Sequence, residues 1–168
     1  MPNPSKSVEF YDLGSALNFS KKSKYALRAL IELTGRYGQS LLQRHEIARR
    51  QRIPTEFLEQ ILLALKHAGL LASRRGVSGG YSLIKSPEDI TLGQVIRVLD
   101  GPLAPIACVI TTAYQKCDDC PYAEDDARNC PVQRVMLDVR NAIAGILDNY
   151  TLSDFVKQTV KKGSRAVR

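Results

Sequence analysis

All four cysteines of this 168-residue chain fall in one polar stretch, at Cys108, Cys117, Cys120 and Cys130, spaced Cys-x8-Cys-x2-Cys-x9-Cys. Thiols gathered this way can close a disulfide clamp, bind zinc, hold an iron–sulfur cluster, or act as reactive sensor thiols. The stretch "CDDCPYAEDDARNCPV" is acidic inside a chain of net charge +7, so its thiols are not grouped for packing. A structural zinc ribbon offers two close pairs, and here only Cys117 and Cys120 are close. Zinc fingers also use His, but His45 and His67 lie far upstream. A cysteine nucleophile wants a His base beside it, and none is placed there, which argues against an enzyme. Four thiolates satisfy a cluster of two or of four irons. Spacing alone leaves zinc and iron–sulfur level.

The compartment bears on this choice. The leader "MPNPSKSVEFYDLGSALN" has no apolar h-region, so a cytoplasmic protein is expected and a disulfide framework loses ground. No apolar run approaches the length of a membrane span. Hydrophobic content of 44% and charged content of 24% fit a globular chain long enough to bury a core.

Charge is divided along the chain. From Ser20 to Lys85 there are 13 basic and 4 acidic residues; from Ser86 to Val156 there are 5 basic and 11 acidic. A basic first half joined to an acidic second half suits a polyanion-binding module carrying a second function.

The elements that must position these groups follow from periodicity. "SKKSKYALRALIELTGRYG" opens on a Ser cap and sets Tyr25, Leu27, Ala29, Leu30, Leu33 and Tyr37 at mostly helical spacing, with Gly38 ending it. "LLQRHEIARRQRI" reads as a short second helix with Leu42, Ile47 and Ala48 inward. Pro54 opens "PTEFLEQILLALKHAGLL", whose Phe57, Leu58, Ile61, Leu62 and Leu65 form an apolar stripe that Gly69 stops. Two helices joined this tightly predict a helix-turn-helix. The glycines of "LASRRGVSGGYSLIKSP" lie between two strand-like runs, Leu70 to Ser73 and Tyr81 to Ile84, which predicts a hairpin with a basic tip. "TLGQVIRVLDG" is a short helix capped by Thr91. The expected class is mainly α with a small β-wing: a winged helix-turn-helix DNA-binding domain plus a long C-terminal dimerisation helix.

In such a domain the second helix enters the major groove with its N-terminal residues at base edges. That selects Thr55, Glu56, Glu59 and Gln60, with Gln60 and Glu59 favoured for base contact. Arg74 and Arg75 at the wing tip suit a minor groove, and Lys21, Lys24 and Arg28, together with Lys22, suit phosphates. Arg49, Arg50 and Arg52 are weaker candidates. The helix "PVQRVMLDVRNAIAGILDNY" places Val135, Met136, Val139, Ile143 and Ile146 on one apolar face. Pairing with a second copy of itself is expected there, because helix-turn-helix proteins read two half-sites as dimers.

Taken together, "KSKYALRALIEL", "IPTEFLEQILLALKHAGLL", "RRGVSGGYSLIKSPEDITLGQVI" and "TLSDF" resemble the Rrf-two family of winged-helix transcription regulators, of the iron–sulfur IscR/NsrR type. The likeness runs from about Ser20 to Val156. It implies a dimeric bacterial repressor or activator with a cluster held in the loop before the dimerisation helix. It carries Cys108, Cys130 and one of Cys117 or Cys120 over as ligands, and supports Glu59, Gln60 and Arg75 as DNA readers. The family loop is usually shorter, with three cysteines. Some relatives complete the cluster with a His where this chain has Gln133. Others borrow a carboxylate or His from the partner's first helix, where Lys24 and Arg28 stand here. The extra cysteine is then the natural fourth ligand. Some relatives bind no cluster and act through thiols or a partner enzyme.

The expectation is therefore a cytoplasmic, homodimeric DNA-binding regulator and repressor controlled by a 2Fe-2S or 4Fe-4S cluster on Cys108, Cys117, Cys120 and Cys130. The alternatives are a cluster-free thiol-redox regulator and a zinc-stabilised winged-helix interaction module. Expected boundaries are a flexible leader 1–19, a winged helix 20–101, a cysteine loop 102–131, a dimerisation helix with a short following segment 132–156, and a flexible basic tail 157–168.

Overall fold

The computed structural model describes residues 19–117, 121–122 and 130–158, with 159–163 as backbone. The leader before residue 19 and Cys120 lie outside the described residues. Helix α1 (Lys21–Thr34) starts at Ser20, whose side chain accepts from the Ser23 N–H. It buries Ala26, Ala29, Leu30 and Leu33. Gly35 caps it, so it ends earlier than the spacing of Tyr37 suggested, and Tyr37 is left exposed in the turn that follows.

Leu42 then runs against the wing, exchanging backbone hydrogen bonds with Tyr81 at 3.0 and 2.9 Å before α2 (Arg44–Gln51) begins. Its first residues were expected in the helix; the wing takes them instead. Helix α2 ends in Arg52, a non-glycine residue in the left-handed region at φ 50°. Helix α3 (Thr55–His67) buries Leu58, Ile61, Leu62 and Leu65. Its end is a Schellman closure: Gly69 at φ 72° donates to Lys66 and Leu70 donates to Leu65, both at 3.0 Å. That closure consumes Leu70, so strand β1 is Leu71–Arg74 and pairs antiparallel with β2, Gly80–Leu83, each shifted one residue from the expected run.

Helix α4 (Leu92–Asp100) carries the reciprocal cap expected of Thr91: Thr91 Oγ1 accepts from the Gln94 N–H at 3.2 Å, and Gln94 Oε1 accepts from the Thr91 N–H at 3.3 Å. A 3-10 turn, Ala107–Val109, buries Cys108 and Val109. Helix α5 (Pro131–Asn149) follows, with Cys130 as its N-cap and Pro131 at its first position.

The chain then folds back. Leu92 donates to Tyr150 at 2.8 Å and Leu152 donates to Ile90 at 2.9 Å, which lays residue 151 beside residue 91. Helix α6 (Leu152–Gly163) starts on a second cap, where Thr151 Oγ1 accepts from the Asp154 N–H at 3.1 Å and Asp154 accepts from the Thr151 hydroxyl at 2.8 Å. Where a flexible tail was expected from residue 157, the backbone is helical through Gly163. Leu152 is fully buried, and α6 packs on α1.

One core therefore joins α1, α3, α4, the wing and α6. Helix α5 lies at its edge: Leu147 packs against the core, but none of the helix's residues is fully buried.

Candidate nucleic-acid interface and thiol segment

The recognition face begins where Pro54 precedes Thr55. Thr55, Glu56, Glu59 and Gln60 are exposed, because the apolar residues of α3 occupy its opposite face. Glu59 is not idle in the free protein. Its carboxylate meets the Arg44 guanidinium at 2.5 Å, across the helix-turn-helix. Both side chains are about half exposed, so the pair aligns Glu59 more than it stabilises the fold.

The wing is held against the same region. Gln43 Nε2 donates to the Val77 carbonyl at 2.7 Å, tying the wing tip to the residue that starts α2. The double glycine of "SGGY" follows from close approach: a Cβ on Gly79 would lie 2.2 Å from the Arg74 carbonyl oxygen, and one on Gly80 would lie 2.7 Å from that of Leu42. Arg74 leans on Ser78, while Arg75 and Val77 project into solvent. An open groove of about 720 Å³ lies between α3, the start of α2 and the wing. Arg44, His45, Lys66, Arg74 and Arg75 line it against the single acid Glu59.

Lys21, Lys22 and Lys24 are exposed at the start of α1, free to face a phosphate backbone. Arg28 is placed otherwise. Its Nε donates to Gln51 Oε1 at 3.3 Å, a terminal nitrogen donates to the Gln51 carbonyl, and its guanidinium carbon lies 5.5 Å from the centre of the Tyr25 ring. Arg28, expected at a phosphate, braces α1 against α2 in the free protein. Arg50 likewise bridges Glu32 and Glu46, which hold its guanidinium above its ordinary pKa, chiefly through the Glu32 hydrogen bond. Arg49 and Arg52 stay exposed.

On the other side of the core, Cys108 is buried in its 3-10 turn. Gln133, in the first turn of α5, donates its side-chain N–H to the Cys108 carbonyl at 3.0 Å. Cys108 and Cys130 therefore sit on elements bonded to one another, with Cys130 half-buried. Cys117 is also half-buried, on the segment between them. Among the described residues, no three Cys, His, Asp or Glu side chains come close enough together to hold a metal ion. The donor chemistry suits a cluster, and two of its thiols rest on fixed elements.

The proposed dimer face is open. Val132, Val135 and Ile146 keep 59%, 57% and 60% of their surface exposed, while Met136, Val139 and Ile143 are half-buried. Opposite this face, α5 is latched to α4. The Arg97 guanidinium donates twice to Asp148, at 2.6 and 2.9 Å. The hydrogen bond from Arg97 holds the Asp148 carboxyl below the usual carboxylate range. Gly93 makes room for the latch, since a Cβ there would lie 2.0 Å from Asp148 Oδ1.

An exposed recognition helix, a pinned wing and an open basic groove between them define a winged-helix DNA-binding transcription regulator. The chain belongs to the Rrf2 family, described as "Iron-dependent Transcriptional regulator", which matches residues 19–158. It is 43% identical over 140 residues to an rrf2-like HTH-type transcriptional regulator of Rhodobacter capsulatus, covering 82% of this chain and 91% of that protein. Among solved structures it is similar to CymR of B. subtilis, described as the global cysteine regulator, with a TM-score of 0.67 at 31% identity, covering 84% of this chain and 97% of the other. It is also similar to IscR of T. potens, with a TM-score of 0.65 at 31% identity, covering 86% and 89%. These relatives are regulators rather than enzymes, as expected from the missing His base. No described helix is long and apolar enough to cross a membrane.

Sequence reasoning missed Arg44, Gln43 and the Arg97–Asp148 latch. Each is an ordinary polar residue whose partner lies 15 or more positions away, and no local spacing marks such pairs. Helix α6 was also missed, although "TLSD" has the form of a capping box that could have marked its start.

Proposed function

We propose that this chain is a cytoplasmic, homodimeric repressor whose DNA affinity is governed by an iron–sulfur cluster, of the two- or four-iron kind, on Cys108, Cys117, Cys120 and Cys130. The observation that carries the reading is the bond from Gln133 to the Cys108 carbonyl. It joins the segment of the first cysteine to the helix that the last cysteine caps. The cluster would supply a redox- and iron-sensitive crosslink between these thiolates.

The chain's own residues do the rest. Gln133 fixes the Cys108 backbone, and Cys130 begins α5, so any change of thiolate spacing bears on the first turn of that helix. Arg97 and Asp148 connect α5 to α4, and α4 reaches the DNA-binding half through Asp100, which accepts from the Ser20 N–H at 3.0 Å and from the Ser20 hydroxyl. On the DNA side, Gln60 and Glu59 would read base edges, with Thr55 and Glu56 beside them; Lys21 and Lys24 would neutralise phosphates, and Arg74 and Arg75 would enter a minor groove.

The test is anaerobic purification followed by visible absorption, iron and sulfide assays, and operator affinity, for wild type and each single Cys→Ala variant. Cys130→Ala is expected to lose the most iron and the DNA response with it. Wild-type iron content and response in all four variants refute the ligand set. A second reading, thiol regulation without a cluster, is favoured by the likeness to a protein described as a cysteine regulator. It predicts colourless, iron-free protein whose operator binding responds to a thiol oxidant. Stoichiometric zinc in place of iron would favour the interaction-module reading.

A further inference from the structure

A small cavity of about 70 Å³ lies between the end of α4, the segment that follows it, and the middle of α5. A water needs roughly 10–15 Å³ of such space, so the cavity accommodates about five water-sized groups. Two arginines, Arg97 and Arg140, line it together with the hydroxyl-bearing residues Thr111 and Thr112. Apolar residues, among them Ala104 and Ile110, close the remainder.

The electrostatics single out one ligand class. Arg97 donates through its terminal nitrogens to Asp148. Arg140 donates to Thr111 Oγ1 at 3.1 Å and to Asn141 Oδ1 at 2.7 Å. Among the described residues, these bonds use two of the five N–H groups of each guanidinium and leave three on each. Thr111 Oγ1, already an acceptor from Arg140, keeps its own O–H to donate. Asp148 offsets one of the two positive charges, so the site carries one net positive charge and an excess of donors. A single anion with several oxygens satisfies both, and a guanidinium is suited to gripping it through two parallel bonds.

We propose that this cavity binds a small monoanion with two or more oxygens, a carboxylate or a tetrahedral oxyanion, between Arg97 and Arg140. Its walls belong to α4, to the segment just after Cys108, and to α5, so an occupant would fasten these three pieces together.

Isothermal titration of inorganic phosphate, sulfate and acetate into the full-length protein, at ionic strength fixed with chloride, tests the proposal. At least one of the three is expected to saturate at one site per chain, and the best binder distinguishes tetrahedral from planar recognition. Arg140→Gln is expected to weaken it at least tenfold. Ala104→Leu, which fills the cavity without altering charge, is expected to abolish it, while Lys24→Ala leaves it intact. Failure of all three anions to saturate overturns the proposal. So does binding that survives both cavity variants but falls in Lys24→Ala, which would locate the anions on the DNA-contacting surface.

Discussion

Replacing Ile146 by Asp tests the assembly of this regulator more cleanly than any change deeper in α5. Val132, Val135, Val139, Ala142 and Ile146 succeed one another at steps of three and four residues, the spacing of a two-helix seam. Ile146 is 60% exposed in the single chain, so a carboxylate there costs the protomer little. Ile143 is half-buried, and an Asp at that position would damage the protomer as well.

The magnitude follows from exposure. Full burial of a Val or Ile side chain is worth about 1.5–3 kcal/mol, so the exposed share of each is worth about 1–2 kcal/mol. Six such side chains, Val132, Val135 and Ile146 from each copy, supply about 5–11 kcal/mol, comparable to the ~4–15 kcal/mol cost of association. A seam with so small a surplus cannot absorb two carboxylates. Each removes about 1–2 kcal/mol of burial and adds about 1–3 kcal/mol of desolvation. Across both copies the loss is about 4–10 kcal/mol, which weakens dimerisation at least about a thousandfold at 1.4 kcal/mol per decade. Sedimentation equilibrium over a concentration series should show monomers, with far-UV circular dichroism unchanged. Dimers of wild-type affinity from Ile146→Asp would refute the seam and with it the reading of α5 as the subunit interface.

Three further outcomes are expected. Gln60→Ala should weaken operator binding by about 1–3 kcal/mol while sparing non-specific affinity, whereas Lys21→Ala should weaken both and flatten the salt dependence by about one unit; electrophoretic titrations over a salt series separate the two. In Gly93→Ala, the new methyl group must push Asp148 aside and break the latch, but an ion pair about 40% exposed is worth no more than ~1 kcal/mol and Ala gains up to ~1 kcal/mol of helix propensity, so urea unfolding should move by no more than ~1 kcal/mol in either direction. Because Arg97 depresses the Asp148 carboxyl in the folded state, the latch contributes above the ordinary carboxylate range and is lost as pH falls through the depressed value; that acid-side loss should be absent in Asp148→Asn, and its persistence there would assign it to other carboxylates.

What could be read in advance was local. The Ser20 and Thr91 caps, the apolar stripes of α1 and α3, and the glycines of the wing each declare themselves within a few residues, because caps, periods and close turns are short-range constraints. The intramolecular contacts of Arg28 were not legible, for the complementary reason. Lys21, Lys22 and Lys24 on the preceding turns point to phosphate, but its guanidinium bonds Gln51, 23 residues on. The ion pair of Glu59 was equally hidden, because its partner Arg44 lies on another helix. The one-residue shift of both strands had a local cause that was overlooked: the Leu70 amide is committed to closing α3 before the strand can use it.

These pairings bear on how the two halves of the molecule communicate. Helix α4 is nine residues long and capped at its start by a reciprocal Thr91–Gln94 box, so it can move as a rigid piece. Asp100 at its end holds the N-cap residue of α1, the helix that presents Lys21 and Lys24. Arg97, one turn earlier, holds α5 through Asp148. While the latch holds, a displacement of α5 would be delivered, three residues along the same helix, to the start of α1 and the lysines proposed to set the protein on its phosphates. Helix α6 resists that motion from the other side, since it begins on the Thr151 cap beside Thr91 and packs on α1. The latch is exposed and weak while the core around Leu30, Leu62 and Leu152 is fully buried. The arrangement favours rotation of α5 about its attachment to α4 over any loosening of the winged helix, because an exposed ion pair yields at a cost near 1 kcal/mol, whereas a packed leucine core yields only at about 2–5 kcal/mol per side chain lost.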